Sequence, residues 1–227
     1  MAQSTELHPH GGDWLREIVF GLNDGLVTTL VFVMAASAFV PTHLALIALS
    51  EVLAGGVSMA LGGYLSSRTE REILEYRIAT EHHEIRHEPE EERAELRAIY
   101  HGKGMRGRLL ERVVEHLTAD EDRWLHAMVH DELGVVAGED ERPWLAGAQV
   151  GLSFVVGGLI PSLPFLLVLP HARWWAFGLT GLTALGLGAL KSRYTLKGPI
   201  RAGFEFFGIV TVGMLAGVVI GTLLHAG

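Results

Sequence analysis

Five long apolar stretches govern what this chain can fold into: Ile18–Phe39, Leu44–Leu65, Trp144–Leu169, Trp174–Leu190 and Phe204–Leu224. A bilayer core about 30 Å thick is crossed by about 20 helical residues. Within it the backbone must satisfy its own hydrogen bonds, which leaves helices or closed barrels. Continuous apolar runs without strict alternation predict helices. The expectation is an all-α fold, a five-span helical membrane protein with a three-helix cytosolic insert. Its divisions are 1–65 (N-terminal tail and spans 1–2), 66–142 (the insert, its first helix continuous with span 2) and 143–227 (spans 3–5). Glycine is abundant, 28 residues in all. Gly178, Gly181, Gly186 and Gly188 form one small-residue stripe, and Gly213, Gly217 and Gly221 another, as membrane helices use for close packing.

Composition removes several classes. Cysteine is absent, so no disulfide frame, thiolate metal site or thiol nucleophile is available. The polar N-terminus carries no basic region ahead of a short apolar core, so no cleavable signal peptide is expected. The net charge of −8 concentrates between Ser66 and Arg142, which argues against nucleic acid as a partner. Lys and Arg near the spans set orientation. Arg16, Arg68, Arg71, Arg142, Lys191, Arg193, Lys197 and Arg201 fall on one side of a five-span arrangement, and Arg173 on the other. The N-terminus and the insert are therefore expected in the cytosol and the C-terminus outside. A prokaryotic plasma membrane fits the compact loops and absent sorting signals.

The insert carries the chemistry. Ser66–His87 continues span 2 as helix, Pro89 opens a helix over Pro89–His101, Gly102 and Gly104 interrupt it, and a third helix is expected over Arg106–Leu133. Glu81/Glu84 and Glu92/Glu95 are spaced three apart, so each pair shares a helix face. Folding back at Pro89 would bring the four carboxylates together. Such a group repels itself unless a cation joins it, and carboxylate oxygens suit divalent metals. Glu132 and Met128, four apart late in the third helix, can add a carboxylate and a thioether. Sulfur favours Fe2+, Mn2+, Co2+ or Zn2+ over Ca2+ or Mg2+. Against this stand the ordinary readings, a solvated acidic face and a core methionine. His82, His83 and His87 rank below the glutamates as ligands.

Ionisable groups inside spans default to function. Asp24 in span 1 and Met59 in span 2 each lie about 10 Å below the cytosolic boundary at 1.5 Å per residue, and antiparallel spans make them level neighbours. Glu51 lies in the outer half of span 2 and Glu17 at the mouth of span 1. Glu17, Asp24 and Glu51 together can mark a path, with Glu51 able to hold a proton or a metal in turn. Gly157–Pro164 places two prolines in span 3, either to line a cavity or to kink the helix.

The residues "REIVFGLNDGLVTTL", "GGVSMALGGYLSSRTERE" and "GGLIPSLPFLL" resemble the vacuolar iron transporter family, over nearly the whole chain from about Trp14. The resemblance implies a five-span homodimer that exchanges cytosolic Fe2+ for protons, with the pathway at the dimer interface. Asp24 and Met59 match the family's mid-pathway aspartate and methionine. Glu81, Glu84, Glu92, Glu95, Glu132 and Met128 are similar to its cytosolic metal-collecting set, and Val129 stands where some members have a second methionine. The expected cargo is Fe2+, with Mn2+, Co2+ or Zn2+ as further candidates. No tightly bound cofactor and no enzyme activity are expected. The competing readings are a membrane-tethered carboxylate di-iron oxidase, which would normally use Glu-x-x-His pairs, and an anchored metal buffer or sensor.

Overall fold

A computed structural model describes residues 12–38, 43–134, 142–194 and 196–226. Its regular elements are all helical: α1 (Gly12–Ala36), α2 (Leu44–His87), α3 (Pro89–Gly102), α4 (Gly107–Thr118), α5 (Glu121–Asp131), α6 (Pro143–Leu166), α7 (Ala172–Lys191) and α8 (Pro199–Ala226), with a 3-10 turn at Ser192–Tyr194. Phe39, at the end of the first expected span, and Gly138, an expected helix stop, lie outside the described residues. The chain forms two compact units, Met1–Ser66 with Arg142–Gly227, and Ser67–Glu141.

In the first unit, α1, α2, α6 and α8 are long and apolar enough to cross a membrane. The fifth expected segment is present as α7, 20 residues long, but threonines, glycines and tryptophans make it less apolar. Helix α1 packs on α6, α7 and α8. The core joins Leu30 and Met34 to Ala176, Ala184, Phe206 and Val210. Glycines let the backbones meet. A Cβ on Gly25 would fall 2.1 Å from the Phe154 carbonyl oxygen, and one on Gly157 would fall 2.3 Å from that of Leu22. The Gly213/Gly217/Gly221 stripe lies on α1, against Val31 and Ala35, so its packing partner is within the chain. On α7, a Cβ on Gly181 or Gly188 would strike Phe207 or Ala202, whereas one on Gly178 or Gly186 would meet nothing within 4 Å beyond its own helix. Many large apolar side chains point outward, among them Leu46, Leu53, Val57, Leu61, Val212, Leu215 and Leu223. That pattern suits a lipid surround, since lipid tails leave no reason to hide leucine.

Pro161 and Pro164 lie inside α6, which continues through both. Proline removes a backbone donor and usually kinks or breaks a soluble helix. Both prolines are buried, and Ser162 Oγ donates to the Gly158 carbonyl at 2.8 Å. Packing around the two buried prolines holds the helix together here, as membrane helices tolerate proline.

The second unit comprises the last turns of α2 with α3, α4 and α5. Helix α2 runs unbroken to His87, and Pro89 occupies the first turn of α3, where its missing N–H costs nothing. The single helix expected over Arg106–Leu133 is instead two, α4 and α5, so the insert has four helical segments rather than three. Asp120 is the cause. Its side chain accepts from the Arg123 backbone N–H at 2.9 Å, capping α5, and aspartate prefers such a cap to a helix interior. The break lets Trp124, Ala127 and Met128 join Ile85 of α2 and Leu96 of α3 in one core. Gly134, just beyond α5, takes φ of +69°, which glycine adopts without a Cβ clash.

Candidate functional site

In the second unit, carboxylates of α2 and α3 lie near one another. Ile85 and Leu96 are buried on one face, which turns Glu81 of α2 and Glu92 of α3 inward as well. Glu81 is 4% exposed and Glu92 7%. Their side chains are hydrogen-bonded to each other, and the charges of Glu84 and Glu132 act on both. Glu95 acts on Glu92 and on Glu132. One oxygen of each buried acid, Glu81 Oε1 and Glu92 Oε2, has no hydrogen-bond partner. A buried acceptor without a donor is costly. It is relieved by a proton or by a cation.

Burial is the largest influence on Glu81, followed by the shared bond with Glu92 and the charges of Glu132, Glu92 and Glu84. Together they push its carboxyl up to about 8. Burial and the neighbouring acids also raise Glu92 and Glu132. Among the described residues, no three histidine or acidic side chains are already drawn in around a single point as a closed coordination shell. The arrangement is a loose acidic group in which Glu81 keeps its proton at neutral pH. Met128 is fully buried, in the core with Ile85, Leu96 and Trp124. The neighbouring Asp131 is fixed from α3. Lys103 and His130 pair with it, Tyr100 hydrogen-bonds to it, and these partners hold its carboxyl at about 2 despite burial. Asp131 thus anchors the end of α5 beside Glu132.

In the first unit, Asp24 and Glu51 come close enough for their charges to interact. Asp24 Oδ1 accepts from Thr28 Oγ1 at 3.2 Å, one turn on in α1. Glu51 Oε2 accepts from the fully buried Thr29 Oγ1 at 2.9 Å, which ties α2 to α1. Gly158 of α6 lies against both Thr29 and Val52. Thr28 and Thr29 are parts of this site that the sequence reading missed. The signal was available in Asp24-x-x-x-Thr28, a helical hydrogen-bonding spacing. Met59 and Glu17 are half-buried on α2 and α1. A separate cavity of about 430 Å3, lined by Ser37, Leu44, Phe165, His171, Arg173 and Trp174, includes none of these residues.

Comparison with known proteins places the chain in a family. The model of the VIT family matches residues 15–222. The chain is 34% identical over 220 residues to vacuolar iron transporter 2 of Oryza sativa subsp. japonica, covering 94% of this chain and 87% of that protein. It is 33% identical over 208 residues to vacuolar iron transporter 1 of Arabidopsis thaliana, covering 88% and 82%. It is 29% identical over 232 residues to the vacuolar iron transporter of Plasmodium falciparum (isolate 3D7), covering 94% and 82%.

Proposed function

The chain belongs to the VIT family, and from that premise we propose that this multi-pass membrane protein exports divalent metal, chiefly Fe2+, from the cytosol in exchange for protons. Helices α1, α2, α6, α7 and α8 are the five spans. The N-terminus and the second unit lie in the cytosol, and the C-terminus lies outside. Glu81, Glu84, Glu92, Glu95 and Glu132, with Met128, collect the ion. Asp24 and Met59 pass it on through a pathway at a homodimer interface, with Glu17 at its mouth and Glu51 beyond. We place the chain in a prokaryotic plasma membrane. A vacuolar membrane, as in the names of its relatives, would carry the ion away from the same cytosolic side.

One observation carries the reading: the buried pair Glu81 and Glu92, each with an oxygen lacking a partner, within reach of further acids. A group that holds protons when empty and releases them to a divalent ion is what exchange needs. The di-iron oxidase reading gains less support, because the pairs are Glu-x-x-Glu rather than Glu-x-x-His. Competing-metal uptake into proteoliposomes tests the assignment. Fe2+ uptake should saturate, Glu81→Ala or Glu84→Ala should raise the half-saturating concentration while leaving flux at high metal, and Mg2+ should not compete. Parent-like saturation in both variants would remove the glutamates from the collecting role.

A further inference from the structure

The acidic group uses one stripe of α2, and the adjoining stripe carries different donors. His83, Glu84, Ile85, Arg86 and His87 spell His-Glu-x-x-His within the helix. This spacing places two imidazoles on one helix face, the arrangement that binds zinc in many proteins. Here the two rings are exposed and stacked, with centroids 3.9 Å apart and planes at 25°, so their in-plane lone pairs run side by side and sharing one ion turns the exposed His83 ring out of the stack. His87 Nδ1 lies 2.8 Å from the carbonyl oxygen of His83. A carbonyl only accepts, so Nδ1 carries the proton of that bond, which leaves Nε2 as the nitrogen open to a metal. Histidines that ligate metals usually have their other ring nitrogen donating in this way. His82 and His130, by contrast, are engaged by acids, at 2.7 Å from Glu121 and 2.9 Å from Asp131.

We propose that His83 and His87 form a second metal site, an exposed imidazole chelate for a borderline divalent ion such as Zn2+, distinct from the acidic group. Two protein ligands leave the remaining coordination positions to water. Glu84, which would be the general base of a hydrolytic His-Glu-x-x-His site, interacts instead with Glu81, Glu92 and Glu132. Imidazole suits Zn2+, Cu2+, Fe2+ and Ni2+, whereas carboxylate and water suit Mg2+ and Mn2+. The two stripes thus sort cations by ligand chemistry, and the histidine pair holds Zn2+ even against excess Mg2+.

Calorimetric titration of the full-length protein in detergent, with Zn2+ added in the presence of excess Mg2+, tests this. Both histidines are exposed, so His83→Gln and His87→Gln leave the fold undisturbed. Each should weaken one Zn2+ binding event at least about tenfold, the scale at which even outer partners of a metal site act. That event should survive in a Glu81→Gln/Glu92→Gln variant, so it is separable from failure of the acidic group. Parent-like Zn2+ binding in both histidine variants overturns the proposal. So does loss of the event in the glutamate variant with survival in the histidine ones.

Discussion

Glu81 is where the energetics of the second unit are most exposed to experiment. Its carboxyl, buried beside Glu92 and near Glu132 and Glu84, stands at about 8 against an ordinary 4.5. The folded chain therefore keeps a proton that the unfolded chain releases between those values. Stability of the metal-free unit falls as pH rises through that window, because the native state binds more protons there. Glu92 and Glu132 shift in the same direction, and Asp131, at about 2, is ionised in both states across the window. Protection of the α3 and α5 amides against exchange, relative to intrinsic rates, should fall from about pH 5 to about pH 8 in the metal-free full-length protein. Glu81→Gln should flatten the trend and added Fe2+ should reverse it, since a cation favours the charged form. An exchange rate that tracks only intrinsic chemistry would contradict the shift. In the first unit, Thr29→Val removes the donor to Glu51. Hydrogen bonds between membrane helices contribute about 0.6–2 kcal/mol, so melting in detergent should shift little while metal flux drops. An unchanged flux would leave Thr29 as a packing residue. Glu81, Glu84, Glu92 and Glu95 were legible in the sequence because their spacing of three is itself helical geometry. Thr29 was not, because its importance depends on a contact 22 residues away.

Among the elements, the position of breaks matters more than the helices themselves. Pro89 announces its break in the sequence, because proline fits a first turn and little else in a helix. Asp120 was harder to read. The apolar stripe from Leu109 to Val129 stays near helical register across it, so periodicity alone joins α4 to α5. The cap decides the matter, and Asp120→Ala should cost about 1 kcal/mol and fray the start of α5 in amide exchange. If α5 keeps its protection, the break is imposed by packing of Trp124 and not by the cap. In the membrane unit, the small residues of α1 and α6 are a matched set. Gly25→Val should lower the yield of folded protein sharply, since any Cβ there meets the Phe154 carbonyl. Gly178→Val should not, since that position faces open space; comparable losses in both variants would contradict the packing.

For the whole molecule, the apolar segments made the helical membrane class legible, because length and hydrophobicity alone meet the bilayer requirement. Helix α7 shows the limit of that rule. Thr180 and Gly181 are buried and Gly181 and Gly188 pack against α8, so a packed element need not advertise itself to lipid. In the proposed function the two units serve one task, the acidic group collecting ions and the Asp24/Glu51 region passing them on. Metal and proton movement should therefore be inseparable. The direct test is proteoliposomes of the parent and of Asp24→Ala, with Fe2+ added outside and a pH-sensitive dye within. The account expects Fe2+ entry with a matching rise in luminal pH in the parent, and neither in the variant. Fe2+ entry at the parent rate in Asp24→Ala, or entry in the parent with no change in luminal pH, would contradict it.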